Sequence, residues 1–69
     1  MNLRAFEGKR VKIIDDEGRV FEGVVGDYIF PEDNPPMMIE AVILDDVAGF
    51  GNPIQIDKDQ IKSIEIIKP

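Results

Sequence analysis

Cysteine, histidine, tryptophan and threonine do not occur in this 69-residue chain, and serine occurs once, at Ser63. Without cysteine there are no disulfides, and without cysteine or histidine there are no thiolate or imidazole zinc sites. Ser63 has no imidazole to activate it, which excludes Ser–His catalysis. No apolar run approaches the ~20 residues of a membrane-spanning helix. The first ten residues hold no apolar core of the kind that directs secretion. The expectation is a cytoplasmic protein, without membrane contact, forming one domain over residues 1–69. A core of this size supplies a margin of ~3–5 kcal/mol, so stability must come from dense aliphatic packing or from self-association.

What the chain does hold is branched aliphatics, eleven Ile and six Val, recurring at spacing two. That period describes strands. Lys9 to Asp15 reads as a strand with Val11 and Ile13 on one face and Arg10 and Lys12 on the other. Asp16-Glu17-Gly18 makes a hairpin turn, and Arg19 to Phe30 follows as a long strand bent at Gly23 and Gly26. Pro31 to Pro36 is a stiff acidic loop, because proline cannot donate to a ladder. Met37 to Asp45 is expected as the third strand, and a glycine-rich turn leads to a short fourth strand containing Ile54 and Ile56. Asp57-Lys-Asp-Gln60 forms a tight 3₁₀-type turn, and Ser63 to Ile67 closes the chain with Ile64 and Ile66 facing in. Asn2 starts a short helical turn carrying Leu3 and Phe6, stopped at Gly8, which has to lie on a barrel end. The fold class is all-β: a small five-stranded SH3-like or Sm-like barrel, with a short N-terminal helical turn and a 3₁₀ turn before the last strand.

Charge is uneven. The net charge is −6, yet Arg4, Lys9, Arg10 and Lys12 face only Glu7 in the first twelve residues. An acidic domain repels phosphates at long range, so general nucleic-acid binding is disfavoured, although this basic cluster offers a restricted anion face. The acidic pairs Asp15-Asp16, Glu32-Asp33 and Asp45-Asp46 stand beside turn signals, where they shape turns and keep the protein soluble. The calcium-loop pattern does not occur.

The segments Gly8-Lys-Arg-Val-Lys-Ile-Ile14 and Gly18-Arg-Val-Phe-Glu-Gly-Val-Val-Gly-Asp-Tyr28 resemble the first signature of Sm-like (LSM) domains. With Asp33-Asn34 and Ile61 to Ile67 included, nearly the whole chain is similar to small LSM-type proteins of Gram-positive bacteria. The Glu-Gly-Val-Val step also resembles a KOW segment. Kinship of this kind implies rings built by edge pairing, and RNA contacts near Asp27, Asp33 or Asn34 and near the basic residue before strand five. Here Lys62 stands at that basic position, Ser63 replaces the usual glycine, and the loop is longer and proline-rich. Tyr28 offers a ring for base stacking.

Catalysis has little to stand on. Glu22 and Asp27 could meet across the bend, but so small a barrel has scant volume for a substrate. The functional expectation is a non-catalytic interaction module, without cofactor or metal, that self-associates or docks to a protein partner. Its candidate contact face is the second apolar set: Ile14, Val20, Val24, Met38, Val42 and Ile67. The alternative is an RNA binder using Arg4, Lys9, Arg10, Lys12, Tyr28, Asn34 and Lys62.

Overall fold

A computed structural model describes residues 2–67. The chain forms β1 (Arg10–Asp15), β2 (Val20–Ile29), β3 (Ala41–Asp45), β4 (Ile54–Asp57) and β5 (Ile61–Ile66), with 3₁₀ turns at Leu3–Phe6, Pro31–Asp33 and Lys58–Gln60. All pairings are antiparallel, in one sheet of order β4-β3-β2-β1-β5. This is the expected small barrel. No helix among the described residues is long and apolar enough to cross a membrane.

The long second strand lets one sheet curl onto itself. Its N-terminal half pairs with β1, and its C-terminal half reaches β3. The register against β3 shifts between Val25 and Asp27, so Gly26 is the extra residue of a bulge. At Gly23 the backbone at the end of β3 comes so close that an added Cβ would lie 2.6 Å from the Asp45 carbonyl oxygen. Glycine is required there for space.

Alternation then fills the inside. Val11, Ile13, Val25, Val42 and Leu44 are fully buried, with Val47, Ile56 and Ile61 nearly so. Leu3 is also fully buried and plugs one barrel end, held by the Gly8 N–H donating to the Val25 carbonyl at 2.8 Å. Three expectations need correction. Met37 to Glu40 are not strand: Met38 has φ +56, in the left-handed region, and β3 starts only at Ala41. Val42 belongs to the core rather than an exposed face, because it is paired in register with buried Ile56 as Leu44 is with buried Val25, all on the inner face. Ile66 pairs with buried Val11 on the inner side but stays 53% exposed, because β5 is a sheet edge with no strand beyond it.

Candidate functional site

The two edges of the sheet differ chemically, and backbone alternation shows how. Ile67 N–H donates to the Arg10 carbonyl, which fixes Arg10, Lys12 and Ile14 as the β1 residues that exchange ladder bonds with β5. Ile64 and Ile66 therefore present their N–H and C=O groups to the open side. On the other edge, Lys58 N–H donates to the Glu40 carbonyl, so Ile54 and Ile56 bond to β3 while Gln55 and Asp57 face out. Pro53, next in that outward series, has no N–H, and the Asp57 N–H is taken by Gln60 Oε1 at 3.0 Å. The β4 edge is thus blunted except at Gln55, whereas the β5 edge is open.

Beside β4 lies a cleft of about 250 Å³. Three consecutive β4 residues, Ile54, Gln55 and Ile56, line it. Successive side chains point to opposite faces, so the cleft runs along the strand edge itself, in the gap where β4 and β5 do not pair. Phe21 and Phe50, with ring centroids 5.9 Å apart, form its apolar wall, and Asp15, Arg19 and Gln60 close the other side. Phe50 is half-exposed. Its place between Gly49 and Gly51, in a turn and outside any strand parity, is the signal in the sequence that marks it.

Asp15 holds this end together. Its carboxylate is only 2% exposed as a residue and accepts from Glu17 N–H at 3.0 Å, Arg19 N–H at 2.7 Å and Arg19 Nε at 2.7 Å. Burial pushes its pKa up, but the hydrogen bonds from Arg19 and Glu17 outweigh that, and the carboxyl sits below its ordinary value. Asp15, Asp16 and Glu17 bring carboxylate oxygens within 4.8 Å of one another, yet Asp15 is already neutralised by Arg19.

The residues expected to meet RNA do not form one face. Arg10 and Lys12 share the outer side of β1, but Arg10 is bonded to Asp46 at 3.1 Å, and Lys12 stands in register between Glu22 and Glu65. Lys62 is the bulged residue of β5 level with Asp15, five residues along the ladder from Arg10, or roughly 16 Å. Arg4 lies over the Phe30 ring, 5.2 Å from its centroid, and Lys9 is exposed just before β1. Tyr28 packs edge-on to Phe30 and donates its hydroxyl to Glu40 at 2.7 Å, while Glu40 also holds Lys58 at 3.1 Å. The Tyr28 hydrogen bond raises the phenol pKa and, with Lys58, lowers that of Glu40. Asn34 spends its amide tying the proline-rich loop to the Ile39 carbonyl, Asp57 and Gln55.

Of the expected contact face, Val20 and Ile14 are paired in register on the outside of the sheet, and Val24 and Ile67 flank Arg10 there. Val20 is 53% exposed, the other three partly covered. Met38 is half-exposed, in the loop before β3. Comparison with protein-family models, with curated proteins and with solved structures finds no match. Fold and geometry define a small acidic β-barrel with one open edge and one clefted edge.

Proposed function

We propose that the protein is a non-catalytic interaction module that binds polypeptide, its own copies included, by strand pairing at β5. One observation carries this reading: β5 is an uncovered edge whose Ile66 side chain is 53% exposed. Unpaired N–H and C=O groups beside an apolar side chain form a template for another strand. The outer apolar row of Val20, Ile14, Val24 and Ile67 extends the contact surface across β1. The Sm-like resemblance agrees with edge pairing, and RNA binding has less support because Arg10 is paired with Asp46, Lys12 stands between Glu22 and Glu65, and Asn34 is hydrogen-bonded within its own loop and to β4.

Sedimentation velocity over micromolar to submillimolar concentration tests the self-pairing form. The expected result is reversible association that Ile66→Lys abolishes. Added salt should strengthen it by screening the repulsion between copies of net charge −6. RNA binding would respond to salt in the opposite sense. A particle monomeric throughout, together with recovery of RNA rather than protein on the immobilised barrel, would overturn the reading.

A further inference from the structure

We infer that the cleft along β4 is a second docking site, and that its occupant is a short extended peptide segment carrying an aliphatic side chain flanked by lysine or arginine. This rests on the polypeptide-binding reading but names a different edge and a specific ligand chemistry.

The backbone supplies the first observation. Gln55 has the one outward N–H of the β4 edge that Pro53 and Gln60 leave free, and its carbonyl faces the same way. A single residue's N–H and C=O clip one residue of an extended chain with two hydrogen bonds. They cannot propagate a ladder, because Pro53 lacks a donor on one side and Gln60 occupies the donor on the other. The site therefore takes a short segment, not a full strand.

Apolar shape is the second observation. The space beside Gln55 is walled by Phe21, Phe50, Ile54 and Ile56 and measures about 250 Å³. That is below the ~300 Å³ floor of small-molecule pockets, and it suits a side chain or two delivered from a strand running along the edge. The half-exposed Phe50 ring is the natural anchor, since an aromatic that is only partly covered gains most from a partner.

Charge supplies the third. Asp15 and Glu17 share Arg19, which leaves that hairpin corner negative overall. Asp16 and Asp59 are exposed and lie next in sequence to the lining residues Asp15 and Gln60, so even with Lys62 level with Asp15 this end sets four carboxylates against the two cations Arg19 and Lys62. A basic side chain beside the docked aliphatic meets these carboxylates, whereas an acidic one is repelled. The same charges disfavour a second copy of this acidic chain at this edge.

The test is a titration of the full-length, isotope-labelled protein with three capped decapeptides. One alternates lysine with valine and leucine, one replaces every lysine by glutamate, and one replaces every valine and leucine by alanine. The first peptide should shift the amide resonances of Phe50, Ile54, Gln55 and Gln60. The other two should bind about tenfold more weakly or worse, a difference of about 1.4 kcal/mol. Phe50→Ser and Asp59→Lys should each weaken the first peptide several-fold. Met37→Ser, exposed and not a cleft-lining residue, should leave its affinity unchanged. No shift at millimolar peptide, equal binding of the glutamate peptide, or unchanged affinity in Phe50→Ser overturns the inference. Shifts confined to Ile64 and Ile66 also overturn it, while leaving the strand-pairing function at β5 standing.

Discussion

At Asp15 a single carboxylate replaces several missing backbone partners. It gathers the Glu17 and Arg19 N–H groups of the β1–β2 turn and the Arg19 guanidinium around a carboxylate that is itself almost closed to water, while the guanidinium stays largely exposed. Removing it with Asp15→Ala leaves three part-buried donors without their acceptor, so the unfolding midpoint should fall clearly, and Asp15→Asn, which keeps an acceptor, should fall less. Because its folded pKa is depressed, Asp15 stabilises the barrel above the unfolded value. That contribution fades as pH drops below about 4 and through the folded pKa. Tyr28 and Glu40 act at both ends of the scale. The lowered Glu40 pKa removes stability in acid, and the raised Tyr28 pKa removes it as pH climbs past about 10. Thermal unfolding from pH 2 to 11 should show both losses, and Tyr28→Phe should lose the alkaline one.

Among the elements, β2 decides the shape. Gly23→Ala sets a Cβ against the Asp45 backbone, which cannot swing away, and should destabilise by about 2 kcal/mol. At Gly26 the obstacle is the Asp45 side chain, which can rotate, so Gly26→Ala should be the milder change by chemical denaturation. The bend at Gly26 was legible because the glycine breaks a β-branched run, and Gly18 as a hairpin turn; Gly23 marks a close approach to β3 instead. The Leu3 plug and the 3₁₀ turn before β5 were legible too. The start of β3 was not: Met37 to Ile39 are apolar like a strand, but the Asn34 carbonyl accepting from Met38 N–H folds them into the loop. Alternation likewise assigned Ile66 its side but not its exposure, since whether anything lies beyond β5 depends on sheet order. The cleft needed topology too. Phe21 and Phe50 are 29 positions apart, and only the curl of the sheet brings their rings together.

For the whole molecule, a small stability margin makes the core unforgiving. Leu44→Ala should cost about 3 kcal/mol and remove most of the margin, whereas Val20→Ser on the outer face should change stability by less than about 0.5 kcal/mol. Circular dichroism with urea separates the two. The same surface logic governs association: Glu65 stands between Ile64 and Ile66 on the β5 edge, so copies of net charge −6 pair there against a repulsion that salt screens. Residue-resolved amide hydrogen exchange tests this most directly, compared between dilute and concentrated protein. If β5 is a working edge, the Ile64 and Ile66 amides exchange freely when dilute and slow markedly on concentration, while Val11 and Ile13 hardly change. If the Ile64 and Ile66 rates are the same at every concentration and with every added polypeptide, the edge pairs with nothing and the account is wrong.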